Sequence, residues 1–217
     1  MKLLFEDRDI AVCVKPFGTL SEGEGDNALP TMLAAQLGGE IFPVHRLDRE
    51  TGGCMVYARR GAAASKLSAA VSERRMEKEY LAVVQGCPAE KSATLKDLLF
   101  RDAAKNKSFV VDRARRGVRE AELSYELLET VQTEQGELSL VRVKLVTGRT
   151  HQIRVQFSHR KHPVVGDQRY GSRLKPPHMA LWSWRLEFPH PFKKQRVTVS
   201  ALPPQEWPWT LFSLPEE

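Results

Sequence analysis

His45-Arg46-Leu47-Asp48-Arg49-Glu50-Thr51-Gly52-Gly53 sets a carboxylate between two guanidinium groups and follows it with paired glycines. Opposite charges nearby favour the charged form of an acid, so Asp48 is expected to stay ionised. The glycines permit backbone angles that let a ligand approach the main chain. A carboxylate presented this way suits a nucleophile facing an anionic substrate. Other readings of similar letters fail on their surroundings. A kinase catalytic loop would need Leu47 and Asp48 in the opposite order, with a glycine-rich loop, a strand lysine and Asp-Phe-Gly elsewhere. Gly23-Glu24-Gly25-Asp26-Asn27-Ala28 loosely fits a dinucleotide fingerprint, yet Glu24 and Asp26 would repel a pyrophosphate. No Gly-x-Ser-x-Gly elbow supports a hydrolase triad.

Moving outward, Thr147-Gly148-Arg149-Thr150-His151-Gln152-Ile153-Arg154 forms a second dense motif, followed by His162-Pro163-Val164-Val165-Gly166-Asp167 and Tyr170-Gly171. Lys15-Pro16, Glu77-Lys78-Glu79-Tyr80-Leu81-Ala82 and Phe188-Pro189-His190-Pro191 complete an ordered series across nearly the whole chain. Each fragment alone is weak; the series together resembles the RluA-type family of RNA pseudouridine synthases. For an isolated Arg-Leu-Asp-Arg, an ion pair capping a turn would be the better reading of Asp48. The series reverses that choice.

The resemblance implies an α+β protein with the pseudouridine synthase fold: a mixed, largely antiparallel sheet with flanking helices and a central catalytic cleft. It implies one catalytic domain spanning 1–217, isomerising uridines in structured RNA without a metal or an organic cofactor. Asp48 matches the catalytic aspartate, and attack on C1′, addition to the base and a glycal route all stay open for it. Arg149 matches the arginine that pairs with that aspartate, and Tyr80 the active-site tyrosine that stacks on the uracil. Arg46 matches a position that fills the gap left by the flipped base. Lys15, Arg154 and Gly166-Asp167 are RNA-facing or scaffold positions, and Lys15 and Arg154 are counted with the RNA-binding candidates. Three departures stand out: Gly52 where serine is usual, Arg160-Lys161 where glycine is common before His-Pro, and Leu181-Trp182-Ser183 in place of Leu-His-Ala. A non-catalytic RNA-binding protein is the alternative of another class, and a small-molecule hydrolase a distant third.

Composition fits a polyanionic partner. The 217 residues carry a net charge of +6. In 101–119 seven Lys/Arg stand against two Asp, and in 158–175 five stand against one. These two segments are phosphate-contact candidates or plain solvated loops, with Arg113, Arg115 and Arg116 the densest cluster. Cys13, Cys54 and Cys87 are far apart, which points to a reducing, cytoplasmic setting. His159 and His162 lie in a basic loop without nearby thiols, so no zinc site is expected. No run reaches the length of a membrane helix, and the N-terminus has no signal-peptide pattern. No stretch matches the small S4-type RNA-binding domain of many relatives, so recognition is expected from the catalytic domain. The partner is expected to be a stem-loop of ribosomal or transfer RNA, bound by a monomer.

Periodicity predicts strands at 10–14, 54–58, 80–84, 121–127, 141–145, 179–188 and 197–202. It predicts helices at 29–37, 62–73 and 150–159.

Overall fold

The computed structural model describes residues 1–216. Along the chain run β1 (Leu3–Glu6), β2 (Ile10–Lys15), α1 (Leu29–Leu37), β3 (Phe42–Pro43), β4 (Gly52–Ala58) and α2 (Gly61–Ser72). Then come β5 (Glu77–Gln85), β6 (Ser92–Asp102), β7 (Lys107–Val111), β8 (Val118–Thr133) and β9 (Gly136–Leu145). The helix α3 (Gln152–His159) and the strands β10 (Leu181–Pro189) and β11 (Arg196–Ser200) follow. The fold is α+β. Two compact units emerge, one of Met1–Lys78 with Trp182–Pro203 and one of Glu79–Leu181 with Pro204–Glu216.

In the first unit β2 pairs antiparallel with β1 and β4, with Lys15 opposite Gly53. β10 runs parallel to β4 and antiparallel to β11, so the sheet is mixed. β4 is buried at every residue, as its unbroken apolar run requires. Ile10, Val12, Val56, Leu67, Leu186 and Phe188 belong to one core cluster. Leu67, fully buried on α2, is expected to cost about 2–5 kcal/mol as alanine. α1 has the limits read from the sequence, because Pro30 opens its first turn and Gly38 ends it at φ 71°.

In the second unit the strand order is β5-β9-β8-β6-β7, each pair antiparallel. Ala121, Leu123 and Tyr125 alternate inward along β8, as the period of two demands. The basic segment 101–119 is not the loop that its charge suggests. It holds the end of β6, all of β7 and the start of β8, with turns at 103–106 and 112–117. α3 starts at Gln152 rather than at 150, since His151 sits in the left-handed region at φ 55° and cannot continue a helix.

A polar clasp ties the start of the first unit to its β10–β11 turn. His190 Nδ1 accepts the N–H groups of Phe192 and Lys193 at 3.1 and 3.0 Å, and its Nε2 donates to Asp7 at 2.9 Å. Lys193 Nζ reaches the same Asp7 oxygen at 2.6 Å. Burial works against the Asp7 charge, but the bonds from Lys193, the Asp9 N–H and His190 outweigh it. They hold the carboxyl well below its ordinary range. A carboxyl depressed by folding contributes stability above its unfolded value near 3.8 and loses it as pH falls. Asp7→Asn is therefore expected to flatten the decline of stability below about pH 4, read from urea midpoints on acidification. An unchanged decline would remove the clasp from acid unfolding.

Candidate active site

Asp48 sits in a tight turn closed by the Thr51 N–H donating to the Asp48 carbonyl at 3.0 Å. The turn is pinned from several sides. Gly18 N donates to the Arg49 carbonyl at 2.9 Å, and Ser21 Oγ donates to the Leu47 carbonyl at 2.9 Å. Under it lies Lys15, fully buried at the end of β2. Its ammonium donates to the carbonyls of Thr51 (2.8 Å), Arg49 (3.0 Å) and Pro16 (3.1 Å), filling all three donor positions. Burial pushes Lys15 down to about 8, against the opposing pull of the Glu50 and Asp48 charges. Of the two readings given to Lys15, RNA-facing or scaffold, this burial fits the scaffold one: the lysine holds the turn from below.

The flanking arginines turn elsewhere. Arg46 pairs with Glu22 at 2.6 Å on the surface. Arg49 Nε donates to the Gly18 carbonyl at 3.0 Å and lies 4.0 Å from Glu50. Within this unit Lys15 feels the field of Asp48 after that of Glu50. His45, at the start of the motif, accepts the Val56 N–H on Nε2 at 3.1 Å. Burial, then the charge of Lys78, keeps its ring neutral well below the usual histidine range.

The two glycines are required by packing. A Cβ on Gly53, whose φ is +113°, would stand 2.2 Å from the Ser183 carbonyl oxygen of β10. One on Gly52 would stand 2.4 Å from the Trp182 ring. The Trp182 indole is fixed by its Nε1 donating to the Ala201 carbonyl at 2.7 Å and by Phe17, 5.3 Å away between centroids. Gly52 and Trp182, two departures from the family pattern, are therefore one: the large ring occupies the space of a residue 52 side chain. Gly52→Ser alone is expected to destabilise by about 1–3 kcal/mol through overpacking. Combined with Trp182→His it should lose less than the sum of the two single losses, giving a favourable coupling in a urea double-mutant cycle. Additive losses would show that the two positions are independent.

In the second unit the motif 147–154 is tied by Gln152. Its Oε1 accepts Thr147 Oγ1 at 2.8 Å and Arg149 N at 3.0 Å, and its Nε2 donates to the Glu122 carbonyl at 3.0 Å. Arg149 is exposed, with Nε donating to the Glu120 carbonyl at 2.9 Å. Arg154 is the opposite case, only 6% exposed. Its Nε and Nη2 grip the buried Asp167 at 2.6 and 2.9 Å in a planar fork. Of the two readings given to Arg154, RNA-facing or scaffold, this burial fits the scaffold one. Tyr80 is buried on β5, opposite Val143 of β9. Lys161 has a φ of +66°, in the left-handed region that favours glycine, while Arg160 forks onto Asp97 at 2.8 and 3.1 Å. Asp97 also takes Gln156 Nε2 at 2.6 Å, a buried link that no sequence motif announced. Arg113, Arg115 and Arg116 are all exposed in the 112–117 turn, with Arg115 5.1 Å above the Phe100 ring.

The sequence profile for RNA pseudouridylate synthase matches residues 9–159. The chain belongs to the RNA pseudouridylate synthase family. It is 32% identical to the tRNA pseudouridine synthase C of Haemophilus ducreyi, covering 95% of this chain and 93% of that protein. It is 33% identical to the ribosomal large subunit pseudouridine synthase D of Haemophilus influenzae, covering 93% of this chain and 62% of that protein. Among solved structures, human RNA pseudouridylate synthase domain containing 1 aligns with a TM-score of 0.79 at 28% identity, over 94% of this chain and 83% of that one.

As an RNA pseudouridylate synthase, the protein is an isomerase acting on uridine in RNA. The N1–C1′ bond breaks, the uracil turns, a C5–C1′ bond forms, the C5 hydrogen leaves as a proton, and N1 takes up a proton. The reaction is balanced without an oxidant or a reductant. No helix among the described residues is long and apolar enough to cross a membrane.

Proposed function

We propose that Asp48 is the carboxylate that acts on the uridine. The RNA is a stem-loop of ribosomal or transfer RNA, taken by a single cytoplasmic domain of 1–217 working as a monomer, without a metal or an organic cofactor. The observation that carries this reading is the turn itself. Buried Lys15 and the Gly18 and Ser21 contacts fix the backbone on both sides of Asp48, so the carboxylate is held in place before substrate arrives. Asp48 acts as a nucleophile, with addition to the base and a glycal route as its rivals. Tyr80 stacks on the uracil and takes part in proton transfer at C5. Arg46 fills the gap left by the flipped base. Its surface pair with Glu22 is worth roughly 0–1 kcal/mol, so the guanidinium exchanges readily onto RNA.

Arg149 keeps the role of supporting arginine on the strength of its motif position. The burial and rigid fork of Arg154 favour a second reading, in which Arg154 is the arginine on which catalysis depends. Ribosomal and transfer RNA are both supported by the names of similar proteins. The choice is made by mapping pseudouridine in both RNA pools from cells with and without the protein. Loss of one site or a few, in exposed loops of one pool, is expected. Intact pseudouridine maps in both would contradict the assignment.

A further inference from the structure

An open cavity of about 440 Å³ lies in the second unit, where the two basic segments meet. Its lining includes Lys107 and Phe109 of β7, His159 and Arg169, and Tyr170. These residues come from 101–119 and 158–175, which charge alone singled out as separate candidates. We propose that this cavity holds a nucleotide of the substrate RNA other than the isomerised uridine, its phosphate between Lys107 and Arg169 and its base against Phe109. The proposal rests on the protein acting on RNA, and adds a second contact to the reading above.

Several observations converge on an anionic, partly aromatic occupant. No carboxylate lines the cavity among the described residues, so its walls are cationic and neutral. Arg169 is held in place by Nη1 donating to the carbonyls of Asn106 at 2.7 Å and Lys105 at 3.2 Å. The rest of its fork stays available to phosphate oxygens. Lys107 Nζ stands 5.1 Å from the Tyr170 ring centroid and 5.6 Å from that of Phe109, a cation already placed beside two π faces. Tyr170 is tied at both its hydroxyl and its backbone. Its hydroxyl takes the Ser108 N–H at 2.8 Å and bonds His151 Nδ1 at 2.9 Å. Its backbone carbonyl accepts Ser158 Oγ at 2.6 Å. A prearranged lining residue lowers the ordering cost of binding. The volume falls within the usual range for small-ligand sites. Half-buried Phe109 offers a face for stacking, which tolerates any base.

The test uses the full chain with unmodified transfer RNA and large-subunit ribosomal RNA transcripts, following affinity from about 50 to 200 mM salt. Lys107→Gln should lower the steepness of log affinity against log salt by about 0.7, the value for one lost contact on a single strand. Lys107→Glu should weaken binding by about tenfold or more at the low end of that range. Phe109→Leu should weaken binding with the slope unchanged, because stacking releases no counterions. If Lys107→Glu binds as the wild type does, with the same slope, the cavity is not an RNA site, although the isomerase reading stands. The two readings fail separately: a wild type that binds these transcripts and forms no pseudouridine contradicts the isomerase reading, while the Lys107 slopes still decide the cavity.

Discussion

Asp48→Asn is expected to abolish pseudouridine formation, with nucleoside analysis after a single-turnover incubation showing a drop of at least about a thousandfold. The amide keeps the shape and the turn. The Asp48 carbonyl still accepts the Thr51 N–H, and Lys15 still holds Thr51 and Arg49 from below. What the variant loses is the negative charge and the nucleophilic oxygen. RNA affinity should stay within about tenfold of the wild type, since phosphate contacts dominate binding. Turnover near the wild-type rate would take the carboxylate out of the chemistry. A large loss of affinity with normal turnover of bound RNA would instead make Asp48 a binding residue.

The second large effect is expected at Arg154. Arg154→Met should destabilise the protein by about 3–5 kcal/mol in urea unfolding, because it leaves the buried Asp167 charge without its partner. Arg154→Lys should fall between, as an ammonium cannot reproduce a planar fork. Pairing Arg154→Met with Asp167→Asn should recover part of the loss, since the orphaned charge is then gone. Arg149→Lys provides the contrast. At an exposed site it should change stability by less than about 0.5 kcal/mol, so any loss of activity would report on catalysis rather than folding. Normal turnover by Arg149→Lys, with turnover lost in the fraction of Arg154→Lys that stays folded, would assign the supporting role to Arg154.

Residues whose constraint is local were legible in the sequence. Pro30 and Gly38 bracket α1 because each fixes backbone angles at its own position, so the helix limits follow without tertiary information. The strand alternation at 121–127 was visible for the same reason. Burial was harder to read. Arg149 and Arg154 stand five places apart in one motif, and only the fold shows that one is exposed and the other enclosed with Asp167. Lys15 was open to an RNA-facing or a scaffold reading because lysine is rarely buried, yet three carbonyls converge on it. β6 and β7 were hidden by their charge: Lys96, Arg101 and Lys107 lie on strands whose inward residues, Leu95, Leu99 and Ser108, are too few to mark a pattern. The Gly52–Trp182 fit could not be seen either, since 130 positions separate the two residues.

The central claim is that this protein converts uridine into pseudouridine and does more than bind RNA, with Asp48 as the acting carboxylate. It is tested most directly by tritium release from RNA labelled at uridine C5, followed together with the amount of pseudouridine formed. Isomerisation must expel the C5 hydrogen, so the wild type should release one tritium for each pseudouridine, and Asp48→Asn should release none. RNA bound by the wild type without tritium release, or release that persists in Asp48→Asn, would contradict the account.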